Sequence, residues 1–312
     1  MQRFKKILFV NEVNTTATAT PERAAQLARN NGAQLVLCHA SKKLPRTLPD
    51  LESIFNQAYM RQLTAKFDSV DIEGVKTEIK LLSGTPFIEI IKEVQRGSYD
   101  LVIKSAKGRG GAFSNLFGET DMHLMRKCPC PVWIIKPEKA GEYSGIVAAV
   151  DPDPELPENA KLNESILKLA TSLARQESSV LHIVHTWHLQ GEETLRSQRT
   201  GIEKEEVDKI LVDIENRHRQ LLEELLKLHD FDGIEFKVHL IKGDAGSVIP
   251  ELVLKQRAEL VIMGTVARTG IEGFIVGNSD NESLLLESAT SASATPDSKS
   301  VQLLSAREGG DV

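Results

Sequence analysis

Two stretches of the chain carry residues whose types and spacing could bind a phosphate group. Each begins with a short apolar segment and continues into a glycine-bearing loop, with Gly108 and Gly118 in the first and Gly264 and Gly277 in the second. A predicted helix start follows each loop. In open α/β folds such a loop directs backbone N–H groups and the positive end of a helix dipole at an anion. The chemistry predicted from these residues is therefore phosphate binding.

The two stretches belong to a repeat that extends over most of the chain. They align without a gap at an offset of 159 residues, which places Gly118 on Gly277 and Asp121 on Asp280. Short apolar strands alternate with amphipathic helices around both loops. Besides the strand that leads into each loop, strands are predicted at 7–10, 35–39, 75–82 and 131–135 and again at 145–151, 180–187 and 234–241. This alternation predicts an α/β fold of two tandem, doubly wound, parallel five-stranded domains.

The second half departs from the first at its end. Where the first half has an apolar strand at 131–135, the second has a run of Ser, Ala and Thr that cannot form a buried strand. The fifth strand of the second domain is therefore predicted to be defective or missing. The predicted domains cover 1–140 and 145–290, the second being incomplete, and 291–312 is predicted to be a disordered tail.

The composition argues against several classes of protein. The chain has 312 residues, a net charge of −6 and 41% hydrophobic residues, with basic and acidic residues interleaved. A nucleic-acid coat would need a continuous basic footprint. A membrane span would need about 20 consecutive, mostly apolar residues, and no run approaches that length. The three cysteines give no disulfide framework. These features predict a cytoplasmic protein.

Other reactive side chains favour structural roles. Side chains alternate between the faces of a strand, so His182 and His188 share one face and His185 points to the other. Three metal ligands cannot converge from that arrangement, and no metal site is predicted. Cys128 and Cys130 match neither the redox C-x-x-C motif nor a zinc knuckle and are expected to be packing residues. No nucleophile, base or carboxylate pair has a catalytic context, so the protein is predicted not to be an enzyme.

The repeat as a whole resembles the universal stress protein family in its tandem form. The resemblance rests on VIMGTVARTGI and the following GN in the second loop, on CPCPVWIIKP after the first loop, and on Asp151 after the first strand of the second half. It implies a parallel five-stranded α/β fold, a stress-associated cytoplasmic role and frequent dimerisation through the fifth strands. It also implies that ATP binds at this loop in some members and not in others.

The family's nucleotide pattern is incomplete in the first repeat. The resemblance implies glycine, two residues, glycine, nine residues, glycine, and then Ser or Thr. Here Ser105 replaces the first glycine, Gly108 and Gly118 remain, and Glu119 precedes Thr120. A Cβ at the first position hinders close approach of a phosphate. The Glu119 carboxylate is expected where the phosphate charge would bind, and like charges repel in a poorly hydrated site. The first loop is therefore predicted to be degenerate and empty.

The second repeat keeps more of the pattern, although Ala267 replaces its second glycine. In the family an Asp after the first strand lies near adenine or ribose; the second repeat has Asp151 there, and Asn11 is aligned with it in the first. The residues predicted to bind a ligand are Asp151, Gly264, Thr265, Arg268, Gly277, Asn278 and Ser279.

The predicted function is non-catalytic binding of a ligand or partner in a stress response, with ATP expected in the second domain only. Two alternatives stay open: slow hydrolysis of ATP or AMP, and carriage of a lipid-like ligand. The apolar strand at 131–135 forms a sheet edge, which is a template for another strand. It predicts either a homodimer through this edge or a monomer in which Val301–Leu304 cover it.

Overall fold

The computed structural model describes residues 4–11, 19–44, 49–106, 118–135, 143–154, 157–197, 201–265 and 300–305. They fall into two compact units. Unit 1 lies within 1–142 and 265–306, and unit 2 lies within 143–264. Among the described helices, none is long and apolar enough to cross a membrane.

Unit 1 is an open parallel sheet with helices between its strands. Its elements are β1 (Lys6–Val10), α1 (Ala19–Asn31), β2 (Gln34–Ser41), α2 (Pro49–Asp68), β3 (Thr77–Ser83), α3 (Pro86–Gly97), β4 (Leu101–Ser105), α4 (Glu119–Lys127) and β5 (Val132–Ile135). The strand order is β3-β2-β1-β4-β5, all parallel. Helices cover both faces of such a sheet, so β4 is buried along its whole length, including the polar residues Lys104 and Ser105 that follow its apolar start.

Unit 2 repeats this plan with four described strands. Its elements are β6 (Gly145–Ala149), α5 (Pro157–Glu177), β7 (Val180–Trp187), α6 (Glu192–Leu195), α7 (Lys204–Lys227), β8 (Phe236–Lys242), α8 (Ala245–Gln256) and β9 (Leu260–Thr265). The order is β9-β6-β7-β8, again parallel. The doubly wound parallel fold predicted from the sequence is confirmed. The Ser/Ala/Thr run, on which the prediction of a defective fifth strand rests, lies outside the described residues.

The end of the chain contributes one more strand to unit 1. Strand β10 (Ser300–Ser305) pairs in parallel with β5, placing Gln302 opposite Val132 and Leu304 opposite Ile134. These six residues form a strand where the sequence predicts a disordered tail. The register explains why, because the backbone N–H and C=O groups on the open side of β5 gain partners from this segment. In this structure residues 300–305 of the chain itself cover the edge.

Candidate functional site

The predicted ligand site of unit 2 lies where the strand order of its sheet reverses. From β6 the chain moves to β7 on one side, while β9 pairs with β6 on the other. Ligands of open α/β sheets bind outside the carboxyl ends of the strands at such a switch point. Asp151 follows β6, and Gly264 and Thr265 end β9, so the topology brings these predicted residues to one end of the sheet.

Asp151 is held in place by two asparagines of α5. The amide group of Asn163 brackets its backbone, accepting from the Asp151 N–H at 3.0 Å and donating to the Asp151 carbonyl at 2.7 Å. The Asn159 Nδ2 donates to the Asp151 carboxylate at 3.1 Å. The two asparagines are four residues apart and therefore share one face of the helix. Both are buried, whereas Asp151 is half-buried. Neither asparagine was predicted from the sequence, although their four-residue spacing was an available signal.

Asn159 leaves an acceptor for which the described residues offer no donor. Its Oδ1 is buried and takes no hydrogen bond from them. The amide cannot be turned around to relieve this, because the Asp151 carboxylate only accepts hydrogen bonds and needs the NH₂ group facing it. A buried acceptor left unsatisfied costs about 1–3 kcal/mol. The pair Asp151–Asn159 therefore offers oxygen acceptors to hydroxyl or amino donors.

A pair of histidines, the histidine couple of His185 and His218, lies beside Asp151. The His185 Nδ1 is 3.2 Å from the Val150 carbonyl oxygen, which can only accept, so this nitrogen carries the proton. The other nitrogen, Nε2, then accepts from His218 Nδ1 at 2.9 Å. Burial lowers the pKa of both imidazoles, and the nearby Asp151 charge opposes that shift. The lowered pKa favours the neutral form of both rings at neutral pH, in which the two contacts fix their tautomers.

The other histidines of β7 do not join this couple. The His182 Nδ1 lies 3.1 Å from His239 Nε2 on the neighbouring strand, so His182 and His185 turn to different partners. This is the alternation predicted for a strand. His188 comes directly after β7 and is exposed.

Gly264 is explained by packing. A Cβ at this position would overlap the end of the Leu162 side chain of α5, so glycine lets the helix approach the end of β9 without moving that leucine. The remaining predicted ligand residues, Arg268, Gly277, Asn278 and Ser279, lie outside the described residues, as does Ala267.

The registers of the two units correct one alignment made from sequence. Leu101 and Leu260, one repeat apart, pair with Ile7 and Ile146, which makes those two strand positions equivalent. Counting forward, Asn11 corresponds to Val150. Asp151 therefore corresponds to residue 12, outside the described residues, and the alignment of Asn11 with Asp151 is wrong by one residue. A one-residue shift is hard to see in sequence where both strand ends become polar, whereas pairing with a neighbouring strand determines it.

The histidine contacts support this correction. In unit 1 the His39 Nδ1 lies 3.3 Å from the Asn11 carbonyl oxygen, matching the contact of His185 with Val150. The His39 ring packs on Tyr59 with centroids 4.2 Å apart, in the place that His218 takes in unit 2. Tyr59 of α2 and His218 of α7 are 159 residues apart, which is the repeat offset. This spacing was a signal in the sequence that α2 and α7 are equivalent helices.

Unit 1 uses its own side chains to fill the corresponding end of its sheet. Asn11 is buried, and its Oδ1 accepts from Lys66 Nζ at 2.8 Å. Burial lowers the pKa of that lysine. Ser105 is also buried, and its carbonyl accepts from Lys104 Nζ at 3.0 Å. Gly108 lies outside the described residues, and Thr120 is half-buried in α4.

The N-terminus of α4 already holds a carboxylate of the protein. One oxygen of Asp121 is 2.7 Å from Lys104 Nζ, and the other accepts from the Gly118 N–H at 2.8 Å. Both charged side chains are almost fully buried, at 1% and 0% exposed. The Asp121 carboxylate thus has the cation and the helix-terminal N–H group that a bound phosphate would need.

The expectation for Glu119 is therefore wrong. Its side chain is 87% exposed and lies 3.9 Å from His123, so it does not enter the anion position. The carboxylate that does is Asp121, three residues after Gly118, which is capping-box spacing. That spacing and a lysine inside an apolar strand were the signals that could have identified the pair.

Comparison with known proteins places the chain in a family. The profile of the universal stress protein family matches residues 3–136 and again residues 142–284. The chain belongs to the universal stress protein family. It is 32% identical over 289 residues to universal stress protein E of Escherichia coli K12 and of Salmonella typhi, covering 89% of this chain and 90% of each relative.

A solved structure has the same fold along nearly the whole chain. A universal stress protein from Pseudomonas aeruginosa UCBPP-PA14 superimposes with a TM-score of 0.64 at 22% identity, covering 97% of this chain and 94% of that one. At this identity the likeness concerns the fold alone. The tandem arrangement predicted from the internal repeat is confirmed.

Proposed function

We propose that this universal stress protein acts in the cytoplasm as a non-catalytic stress-response protein that binds a nucleotide, such as ATP, in unit 2. The observation that carries the proposal is the Asp151–Asn159 pair at the switch point of the sheet. Its carboxylate and its unsatisfied amide oxygen are acceptors, and the hydroxyl groups of a ribose and the amino group of adenine are donors.

The proposal places the nucleotide in unit 2 alone. In unit 1 the equivalent helix terminus is neutralised internally by Lys104 and Asp121, so a phosphate would have to displace a buried ion pair. In unit 2 the position of Lys104 is taken by Met263, a buried apolar side chain that cannot pair with a carboxylate. The glycine loop of the second repeat would hold the phosphates through Gly277, Asn278 and Ser279.

Two glycines one repeat apart make a matched test. Gly277→Val is expected to abolish ATP binding measured by calorimetric titration, because a bulky side chain obstructs the loop. Gly118→Val should leave binding unchanged, since Gly118 has φ −77°, which valine adopts without strain. Equal loss in both variants, or loss only with Gly118→Val, would contradict the assignment to unit 2.

The identity of the ligand is tested on the purified chain. Native mass spectrometry should detect the chain with a nucleotide bound, and Asp151→Ala should remove that mass. A bound acyl compound would instead support the lipid carrier. Release of inorganic phosphate from added ATP, abolished by Asp151→Ala, would replace the non-catalytic proposal with the hydrolase.

The assembly is proposed to depend on β10. A homodimer through the β5 edge requires β10 to leave it, because both would use the same backbone groups. Deleting the residues after Ser298 should convert monomer to dimer or aggregate in light scattering on a sizing column. Adding Trp133→Lys to the deletion should reverse the association. A full-length dimer that Trp133→Lys dissociates would show instead that β5 pairs between copies.

A further inference from the structure

Two buried cysteines meet at the turn between α4 and β5. The chain bends at Pro129 and Cys130, and this bend brings the Sγ atoms of Cys128 and Cys130 to 3.7 Å. Both thiols are free and nearly buried, at 1% and 8% exposed. The sequence spacing predicts only packing residues here, because local spacing does not reveal how sharply the turn folds back. The contact itself is a hydrogen-bonded dithiol.

We propose that Cys128 and Cys130 form an oxidisable dithiol that closes to an intrachain disulfide on reaction with a hydroperoxide. The bond length of a disulfide is about 2.05 Å, so the sulfurs must approach by roughly 1.7 Å. The proposal requires that rotation of the two side chains and a small adjustment of the turn supply this movement. The site lies in unit 1 and goes beyond nucleotide binding, on which it does not depend.

The chemistry balances with the hydroperoxide as the oxidant. The Cys128 thiolate attacks the peroxide, forming an S–O bond and breaking the O–O bond, while the departing alkoxide or hydroxide takes up a proton. Cys128 is then a sulfenic acid. The Cys130 sulfur attacks it, forming the S–S bond, and the S–O bond breaks as hydroxide that leaves as water with the Cys130 proton. Two thiols and one hydroperoxide give a disulfide, an alcohol or water, and a further water.

The contact between the thiols assigns their roles. Either thiol can donate in this contact; with Cys130 as the donor, the hydrogen bond lowers the pKa of Cys128 even against burial. The same contact and burial raise the pKa of Cys130, which keeps its proton and acts as the resolving thiol. Since thiolates are the reactive species, Cys128 attacks first.

The third cysteine provides an internal control. Cys38 is fully buried in β2, and burial raises its pKa far above the usual range of a thiol. The chain has three cysteines in all, and the two others are engaged with each other. Cys38 is therefore expected to stay reduced under conditions that oxidise the dithiol.

The turn is anchored on both sides, which limits the effect of closure. The Cys128 N–H donates to the Leu124 carbonyl at 2.9 Å at the end of α4, and the Pro131 carbonyl accepts from the Val102 N–H at 2.9 Å. Closure is expected to change amide exchange only between these anchors and at the start of β5. The fold of both units should persist.

The test uses the full chain and hydrogen peroxide. Thiols are counted after denaturation, and peptides are mapped by mass spectrometry without reduction. Two of the three thiols should be lost, the peptide that contains Cys128 and Cys130 should lose two hydrogens, and dithiothreitol should restore both thiols. Cys38→Ser should close the same disulfide, whereas Cys130→Ser should form none and should leave Cys128 as a sulfenic acid that dimedone traps.

Several results would overturn the proposal. They are survival of all three thiols under peroxide that fully oxidises dithiothreitol, oxidation of Cys38 as fast as the pair, and sulfinic acid at Cys128 without a disulfide. Should Cys130→Ser fail to fold, the peptide map of the unaltered chain and of Cys38→Ser decides the question alone. Nucleotide titration of the same oxidised sample shows separately whether unit 2 still binds.

Discussion

The two units solve the same structural problem in opposite ways at the carboxyl ends of their strands. In unit 1 two polar groups at these ends are paired within the unit: Lys66 donates to the Asn11 amide oxygen, and Lys104 neutralises Asp121 at the start of α4. Unit 2 instead leaves a buried acceptor on Asn159, beside the Asp151 carboxylate, without a described donor. The difference teaches that a duplicated fold can keep its backbone while the polar side chains at the ends of its strands find different partners in the two copies.

Replacing Lys104 with methionine, the residue at the equivalent position 263 of unit 2, should have the largest effect on stability. Lys104→Met leaves the Asp121 carboxylate buried without its cation, and breaking a buried pair in this way costs about 3–5 kcal/mol. Chemical denaturation should show that loss in the unfolding free energy of unit 1. The double variant Lys104→Met, Asp121→Asn is the control and should recover a large part of it. A loss of unfolding free energy below about 1 kcal/mol, as for an exposed pair, would mean that the Lys104–Asp121 pair does not behave as a buried ion pair.

The second largest expected effect is a difference between the two units in their stability towards acid. Burial is the largest cause of a lowered pKa in four histidines of unit 2, His182, His185, His218 and His239. In unit 1 burial likewise lowers the pKa of His123. The folded-state pKa values lie below the unfolded value of about 6.5. As pH falls through that value the unfolded chain binds protons first, so the folded state loses stability until pH passes the folded pKa values.

The expected slope is up to about 1.4 kcal/mol per pH unit for each histidine that stays neutral in the folded state. Hydrogen exchange followed from neutral pH downwards, corrected for the intrinsic pH dependence of exchange, should therefore show unit 2 losing protection before unit 1. Replacing the His185–His218 couple by two glutamines should reduce the difference. Parallel loss in both units would contradict the comparison.

Exchanging the residues that end β4 and β9 should have a smaller effect. Gly264→Ser places a Cβ against Leu162, and overpacking of this kind typically costs 1–3 kcal/mol. We expect about 1 kcal/mol, because the end of the leucine side chain can rotate. Thermal unfolding measures the loss, with Leu162→Ala as the rescue background in which Gly264→Ser should cost less. An equal cost in both backgrounds would exclude packing as the reason for this glycine.

The smallest effect concerns the loop of the second repeat. Ala267, outside the described residues, stands where the family pattern has glycine. Ala267→Gly should tighten ATP binding about fivefold, which corresponds to roughly 1 kcal/mol from restored backbone freedom. Titration calorimetry of both proteins measures it. Unchanged or weaker affinity would show that this loop does not hold the phosphates.

The sequence by itself determined the duplication and the class of fold. These depend on local patterns: the offset of 159 residues between the two loop stretches, and apolar runs of strand length alternating with amphipathic helices.

Only the tertiary structure decided which charges and thiols meet. Asp121 rather than Glu119 enters the start of α4 because the direction of a side chain at a helix terminus depends on the cation packed against it, here Lys104. The 3.7 Å contact of Cys128 with Cys130 depends on the bend between them. The match of Asp151 with residue 12 follows from the pairing of distant strands. Each of these contacts depends on how the chain packs in three dimensions. The spacing of residues along the chain does not give the distance between the atoms that meet.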